Sequence, residues 1–248
     1  MLLRYFDPRQ AMKKGIFCHA MIVLLWLGGC QLNSGSQETG TPEVRSTPDL
    51  RGVLVPILEP EDRLYRFDGP ELGDFSGLPL NEAGLAKARE YTPETQYLPE
   101  NQCRPHSPPY IMRSALRWEI VQEPDAVTFN MESFEQVRTV YLDDRAHPPP
   151  DARRTPMGHS IGHWEGQTLV VDTSHFEEGY IRRNGAPHSE QAHLTERFIR
   201  DGDYLIIMIT LEDPIYLLAP FTRVIAHRYV PDLEIRPYPC EVRPPIGG

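Results

Sequence analysis

The stretch HLTERFIRDGDYLIIMIT, residues 193–210, decides the fold class. Its two halves are rich in Ile, Leu, Phe, Thr and Tyr, which strands favour, and the turn Arg200-Asp201-Gly202-Asp203 separates them. An Asp-Gly step between two such runs is a strong short-range signal of a β-hairpin. The sequence therefore predicts two antiparallel strands here, with side chains alternating between two faces.

Further segments have the same character, and turn residues separate them. With the hairpin, the candidate strands are RWEIVQ (117–122), AVTFNM (126–131), EQVRTVYL (135–142), QTLVVDT (167–173), HLTERFIR (193–200), YLIIMIT (204–210), FTRVIAHRYV (221–230) and LEIRPY (233–238). Eight short strands within about 120 residues favour an antiparallel barrel or sandwich.

The strand YLIIMITL, residues 204–211, is apolar on both faces. Such a strand has to be covered on both sides. We expect the barrel interior on one side and the Pro-rich N-terminal section on the other. The predicted fold is mainly all-β: an antiparallel barrel-like core of about eight strands, with a Pro-rich, partly helical N-terminal section packed on it.

The N-terminus has the pattern of a bacterial lipoprotein signal. Lys13 and Lys14 precede an apolar run, GIFCHAMIVLLWL, which is too short for a secure membrane span. The sequence LGGC then resembles a lipobox, in which Cys30 is lipidated and begins the mature chain. Met12 is a better start of such a signal than Met1. Gln31 after the cysteine favours the outer membrane, facing the periplasm.

Five regions follow from these patterns. They are a signal peptide (1–29), a lipidated cysteine with a flexible tether (30–50), a Pro-rich irregular section (51–116), a β-barrel-like core (117–240) and a tail (241–248). In the third, Asn81 is a helix N-cap before EAGLAKAREY, whereas PENQCRPHSPPYIM (99–112) has too many prolines for a regular element. After signal cleavage only Cys103 and Cys240 are unmodified, so an oxidising compartment predicts a disulfide between them.

The charge of the chain limits its partners. The formal net charge is −10, and residues 1–29 carry four basic side chains and one acidic one, so the remainder carries −13. A body this acidic repels nucleic acid and anionic headgroups. We therefore expect attachment to the membrane through lipid and no nucleic-acid partner. The sequence has no phosphate loop and no Gly-x-Gly-x-x-Gly motif, and we expect no cofactor.

Three motifs resemble those of a large family of secreted bacterial proteins of unknown function. They are GHSIGHWEGQTLVVDT (158–173), HLTERFIR (193–200) and the Asp-Pro of TLEDP, close to the family pattern GHSxGxWEGDTLVVDT, HLxERFxR and DP. Gln167 stands where the family has Asp. The resemblance implies a shared secreted fold and no particular reaction. A weaker resemblance, the strand-rich sequence with Trp-Glu-Gly, is to lipocalin-like barrels.

The first motif contains metal-ligand types, but its spacing does not favour a metal site. Gly158 and Gly162 oppose a helix, and on a strand His159 and His163 lie roughly 13 Å apart, at about 3.3 Å per residue. His188 and His193 show no recognised zinc spacing. We expect no bound metal. His159, His163 and Trp164 are expected at the rim of the barrel, and Gly166 is expected to permit the turn into the next strand.

A second interpretation is acid–base chemistry inside the barrel. Leu194, Glu196 and Phe198 share a strand face, so Glu196 is expected in the lumen, where a carboxyl needs a partner or a raised pKa. Arg223 and His227 are the predicted partners, with Asp172 near the mouth. The predicted catalytic residues are Glu196, Asp172, His193 and Arg197. Nucleophilic hydrolysis is disfavoured because Ser160 lies in His-Ser-Ile-Gly rather than a Gly-x-Ser-x-Gly elbow.

Three functions remain open. The first is a lipid-anchored envelope protein that binds a small, mostly apolar ligand in the barrel lumen, with His159, His163, Trp164, Arg223 and His227 as contacts. The second is an acid–base enzyme of isomerase, hydratase or cyclase type using the same lumen. The third is a structural envelope lipoprotein.

Overall fold

The computed structural model describes residues 46–57, 72–96, 98–182 and 184–243. The predicted signal peptide, Cys30 and the choice between Met1 and Met12 lie outside these residues. Within them, no helix combines the length and the hydrophobicity that a transmembrane span requires. The lipid attachment predicted from the lipobox therefore stays a prediction.

Strands make up most of the regular structure in the described residues. They are β1 Gly52–Pro56, β2 Trp118–Gln122, β3 Ala126–Met131, β4 Val137–Tyr141, β5 His159–Glu165, β6 Thr168–Ser174, β7 Gly179–Tyr180, β8 Pro187–His188, β9 His193–Asp201, β10 Tyr204–Glu212 and β11 Phe221–Tyr229. Nine of them close a barrel in the order β1-β11-β10-β9-β6-β5-β4-β3-β2. Neighbours are antiparallel except β4 and β5, which run parallel. The predicted all-β barrel core is confirmed.

The hairpin of residues 193–210 forms as expected, with Tyr204 opposite Asp201 across the turn. The expectation that β10 is covered on both faces is wrong. Its inward residues, such as Leu205 and Ile207, are fully buried, but Met208 on the other face is 38% exposed. In the described ranges the N-terminal section packs instead on the β10–β11 connection, where the amide of Leu218 donates to the carbonyl of Pro79.

The predicted set of barrel strands is wrong at three places, and the short pair β7 and β8 is not predicted. LEIRPY (233–238) is not a strand: Pro237 has no amide hydrogen for strand pairing, and the amide of Arg236 donates to Glu132 Oε1 over 2.8 Å. Strand β1 was not predicted, since it lies in the Pro-rich section, yet it closes the ring by pairing with both β2 and β11. Strand β5, His159–Glu165, is also absent from the predicted set, although Gly162 is expected to oppose a helix there. In fact a Cβ on Gly162 would approach Val140 Cγ1 to 2.8 Å, so the glycine allows close packing.

Four short helices lie before the second strand: α1 Glu82–Ala88, α2 Pro93–Gln96, α3 Pro99–Gln102 and α4 Pro108–Ile111. A 3-10 turn, Ser133–Glu135, joins β3 to β4. The predicted cap of α1 is confirmed, since Asn81 accepts a hydrogen bond from the amide of Gly84 at 2.8 Å. The expectation of an irregular 99–112 is wrong. Two single helical turns form there because Pro99 and Pro108 occupy first-turn positions, where proline loses no hydrogen bond.

The predicted disulfide between Cys103 and Cys240 is confirmed. It joins the end of α3 to the segment that follows β11. The link spans 137 residues of sequence. The C-terminal segment is thereby held against the N-terminal section.

Large side chains fill the barrel interior. The rings of Phe129 on β3 and Phe198 on β9 lie 5.3 Å apart between centroids, although three strands separate β3 from β9 on the shorter way round the barrel. This contact therefore crosses the interior. Trp118 packs against Phe129 at 6.3 Å and against His227 at 4.0 Å. All four side chains are fully buried, so this part of the interior is packed as a core.

Candidate functional site

Two of the predicted catalytic residues meet on the outer face of the barrel. On β6 and β9, Asp172 pairs with Thr195, so His193 is the diagonal neighbour of Asp172 on the same face. His193 Nε2 lies 2.9 Å from Asp172 Oδ1. Since Thr173 and Leu194 are the buried neighbours of this pair, Asp172 and His193 point away from the lumen. The prediction placed Asp172 near the mouth of the lumen; the register places it outside.

A third residue, His147, joins them from the connection between β4 and β5. Because these two strands are parallel, the connection has to return along the barrel, and it passes over the outer face. His147 Nε2 lies 2.5 Å from Asp172 Oδ1, and its Nδ1 lies 3.2 Å from Nδ1 of His159 on β5. The four residues form a continuous hydrogen-bonded network, which we call the outer cluster: His147, His159, Asp172 and His193.

Several contacts hold the connection in place over the outer cluster. The guanidinium of Arg145 stacks on the ring of Tyr141, 3.7 Å from its centroid, and pairs with Asp143 at 2.5 Å. Further along, His175 Nε2 lies 3.0 Å from the carbonyl oxygen of Pro149, and Thr155 forms an isolated parallel β-bridge with Phe176. The prolines at 148–150 restrict the backbone next to His147. The position of His147 is therefore set by the connection on both sides of it.

The charges in the outer cluster shift three pKa values. Partial burial acts to raise the pKa of Asp172, but the hydrogen bonds from His193 and His147 outweigh it and leave that pKa below its ordinary value. The hydrogen bond to Asp172 raises the pKa of His193. Burial, and then the neighbouring charges of His147 and His175, lower the pKa of His159. The outer cluster thus combines an ionised carboxylate with a histidine that favours its neutral form.

The geometry of the outer cluster fits a metal ion. One ligand atom each from His147, Asp172 and His193 lies within 4.8 Å of the others. A tetrahedral ion with bonds of about 2.0–2.2 Å requires ligand atoms roughly 3.4 Å apart, so small side-chain movements suffice. The three side chains are 23%, 36% and 40% exposed, which leaves one side open to solvent. Three ligands and an open position are typical of catalytic rather than structural metal sites.

Glu196 lies inside the barrel, as its strand face predicted. Its carboxylate accepts two hydrogen bonds from the guanidinium of Arg138 on β4, and both residues are fully buried. Arg138 also donates to Ser160 and Thr173, at 3.2 and 3.0 Å. The ion-pair partner is therefore Arg138, not the predicted Arg223 or His227, because β4 faces β9 across the lumen. Glu196 and the outer cluster lie on opposite faces of the same sheet.

The remaining predicted residues lie apart from the outer cluster. Arg197 points outward and pairs with Glu165, which also accepts from His163 at 3.3 Å. His163 and Trp164 line an open polar recess of about 330 Å³ at one end of the barrel. Arg223 shares its register position with Ile209, on the inward face of β11. These residues are not brought together into one site.

No spacing rule in the sequence identifies the outer cluster. His147 lies in a Pro-rich loop, 25 residues before Asp172, and His193 follows 21 residues later. The expectation of no bound metal comes from the spacing of His159 with His163 and of His188 with His193, and it does not consider His147 together with Asp172. Strand alternation does indicate that Asp172 and His193 share the outward face. Their proximity, however, follows only once it is known that β6 pairs with β9.

Comparisons with known proteins add little. No protein-family model matches the chain, and no curated protein matches it. One similar solved structure is that of the fluorescent protein UnaG, with 16% identity over 46% of this chain and 72% of that one, and a TM-score of 0.28.

Proposed function

We propose that the protein binds a divalent transition-metal ion, such as Zn²⁺, on the outer face of its barrel. The convergence of His147 Nε2, Asp172 Oδ1 and His193 Nε2 within 4.8 Å supports this proposal. Two imidazoles and one carboxylate are a common catalytic ligand set for such ions. Held by these three side chains, such an ion would supply Lewis-acid chemistry for hydrolysis at the solvent-open side of the outer cluster.

The fourth member of the outer cluster gives this site an orienting partner. When His147 binds an ion through Nε2, its other nitrogen carries the proton and donates to His159 Nδ1, at the observed 3.2 Å. The lowered pKa of His159 favours the neutral form that accepts this hydrogen bond. Such outer partners contribute about 10- to 100-fold to metal affinity.

The lumen supports ligand binding less well. A small apolar ligand there stays a prediction from the sequence, and the contact between the rings of Phe129 and Phe198 fills part of the interior with side chains. The packed interior therefore favours a site outside the barrel over one within it.

Calorimetric titration with ZnCl₂ tests the proposal. Chelator-treated, full-length protein in mild detergent is expected to bind one ion per chain. His193→Ala and Asp172→Asn should abolish that binding, and His159→Ala should weaken it by about 10- to 100-fold. His163→Ala is the matched control, because His163 lies on the same face of β5 but contacts Glu165. Equal affinity in all four variants would contradict the proposal.

Acid–base catalysis by the same residues is the second candidate. The hydrogen bonds from His159 through His147 to Asp172 form a path along which a proton can move. This candidate is preferred if titration with Zn²⁺, Ni²⁺ and Fe²⁺ detects no binding. The imidazole nitrogen signals of His147 and His193 in NMR spectra would then show whether their protonation states are coupled through Asp172.

We propose further that lipid on Cys30 holds the domain in the cell envelope, facing the periplasm. The order of Lys13, Lys14, the apolar run and LGGC supports this. Metabolic labelling with palmitate in a Gram-negative host tests it. Label is expected on the wild-type chain and on the control Cys18→Ser, and none on Cys30→Ser. Label on all three would contradict the proposal.

A further inference from the structure

A second buried polar pair lies away from the outer cluster, where α4 meets the β7–β8 sheet. Ser107 Oγ is 2.6 Å from His188 Nε2. The two residues are 4% and 0% exposed. A serine hydroxyl at this distance from an imidazole is the basic arrangement of a nucleophile with its general base.

The surroundings of His188 fix the tautomer of its ring. Its Nδ1 lies 3.2 Å from the carbonyl oxygen of Ser189, which can only accept a hydrogen bond. The proton is therefore on Nδ1, and Nε2 offers its lone pair to the hydroxyl of Ser107. Burial lowers the pKa of His188 to about 4, so the ring is neutral at neutral pH. This is the protonation state in which a histidine removes a proton from a serine.

An acidic residue holds the backbone that orients His188. Asp213 accepts from the amide and from the hydroxyl of Ser189, at 2.5 and 2.8 Å. Its charge also acts on His188 in the direction that stabilises the protonated ring. Asp213 is buried, at 4% exposure. The carboxylate therefore positions His188 through one intervening residue, without touching the ring nitrogens.

A small cavity opens onto Ser107 of this pair. It has a volume of about 60 Å³ and is lined by Ser107, Gly179, Arg104 and neighbouring side chains. A Cβ on Gly179 would lie 2.6 Å from His188 Nε2 and 3.2 Å from Ser107 Oγ, so any larger residue at this position would collide with the pair. At about 10–15 Å³ per water-sized probe, the cavity holds about four to six waters, which matches an acetyl group and excludes a long acyl chain.

We propose that Ser107 and His188 act as nucleophile and general base in the transfer of a small acyl group from an ester to water. Ser107 Oγ attacks the ester carbonyl carbon, its proton passes to His188 Nε2, and the carbonyl electron pair moves onto oxygen. Arg104, in the wall of the same cavity, supplies positive charge for that oxyanion. Collapse breaks the bond to the alkoxide, which leaves as the alcohol with the proton from His188. Water then attacks the acyl-serine, His188 takes and returns a proton, and the carboxylic acid and free Ser107 result.

Reaction with small acylating reagents tests this proposal on the purified full-length protein. The probes are 4-nitrophenyl acetate, which reports each acyl transfer as nitrophenolate, and methanesulfonyl fluoride, which leaves a stable adduct on an activated serine. We expect one adduct per chain, mapped by peptide mass spectrometry to Ser107. We also expect release of nitrophenolate from the acetate at least 100-fold faster than from the decanoate, because the cavity excludes the longer chain.

Variants separate the chemistry from the fold. Ser107→Ala should abolish the adduct, and Ser76→Ala, at an exposed serine, should leave it unchanged. A folded His188→Gln protein should react about 100-fold more slowly. Excess EDTA should leave the rate unchanged, which makes the result independent of the proposed metal site. If a variant fails to fold, the position of the adduct in the wild-type protein, mapped by peptide mass spectrometry, still tests the proposal. No adduct on folded wild type at millimolar reagent, or an adduct that persists in Ser107→Ala, overturns the proposal.

Discussion

The ion pair between Arg138 and Glu196 allows the sharpest test of the barrel interior. Both side chains are fully buried, on strands that face each other across the lumen. Replacing Arg138 with Met removes the positive charge and leaves the Glu196 carboxylate inside the barrel without it. Because transfer of a lone charge into a core is unfavourable, the folded state should lose much of its stability.

The size of this effect follows from the contacts. The guanidinium donates two hydrogen bonds to the carboxylate, and hydrogen bonds to charged groups contribute about 1.5–3 kcal/mol each. Breaking one partner of a buried pair costs about 3–5 kcal/mol. We therefore expect Arg138→Met to lower the free energy of unfolding by about 4 kcal/mol, and Glu196→Leu to have an effect of similar size.

A double variant distinguishes this charge effect from a simple packing defect. Arg138→Met with Glu196→Leu removes both charges and keeps the interior apolar, while Ser160 and Thr173 still bond each other at 2.8 Å. The free energy of unfolding of this double variant should fall by about 1–2 kcal/mol, less than that of either single variant. Urea denaturation followed by far-ultraviolet circular dichroism measures all four proteins, and the single variants should shift the midpoint by about 1.5–2 M.

Two results would refute the reasoning. One is a loss below about 1 kcal/mol in either single variant, which would mean that water or movement relieves the buried charge. The other is a double variant whose loss equals the sum of the single ones, since that would show that the two charges do not interact. Zinc affinity is a separate measurement. Glu196→Gln should leave zinc affinity unchanged, because Glu196 lies on the inner face of the barrel and the outer cluster lies on the outer face.

Three further predictions concern the rest of the chain. Replacing Cys103 and Cys240 with serine opens a link across 137 residues and should lower the free energy of unfolding by about 5 kcal/mol; an unchanged melting temperature would contradict this. Gly158 and Gly166 both have positive φ, of 66° and 62°, but only at Gly158 would a Cβ meet a backbone oxygen, at 2.5 Å. Gly166→Ala should therefore lower the free energy of unfolding by about 1–2 kcal/mol, and Gly158→Ala should lower it by clearly more. Equal losses of the two variants in thermal unfolding would count against the steric argument. The pKa of His188 falls from 6.5 to about 4 on folding, so the unfolded chain binds the proton first and stability decreases as the pH falls from 6.5 towards 4. Between pH 7.5 and pH 5 the wild type should lose about 2 kcal/mol more than His188→Asn, and parallel pH profiles would exclude a buried neutral ring.

The strands that the sequence predicts correctly are those rich in β-branched, aromatic and other large apolar residues, with turn residues between them. Both strands of the hairpin at 193–210 and the strands at 118–122 and 126–131 have this composition. The two barrel strands that it misses have weak local signals. Strand β1 is five residues in a Pro-rich region, and β5 contains Gly162, whose role is to fit against Val140. Such strands form because the barrel pairs them, which is a non-local effect.

The candidate sites were harder to predict because they depend on register and on connections. The sequence places Glu196 inside the barrel but cannot show that Arg138 faces it across the lumen. Asp172 and His193 meet because β6 pairs with β9, and His147 reaches them because β4 and β5 are parallel. Ser107 and His188 are 81 residues apart, and neither lies in a recognised catalytic motif. Residue types were visible in the sequence, whereas their proximity was not.

An anomalous-scattering measurement at the zinc edge, on crystals of the zinc-loaded protein, tests the proposed metal site most directly. The account predicts one strong peak about 2.0–2.2 Å from His147 Nε2, Asp172 Oδ1 and His193 Nε2, with a water at the open position. A peak at His163 and Glu165 instead, or no peak at the outer cluster when the protein is saturated with zinc, would contradict it.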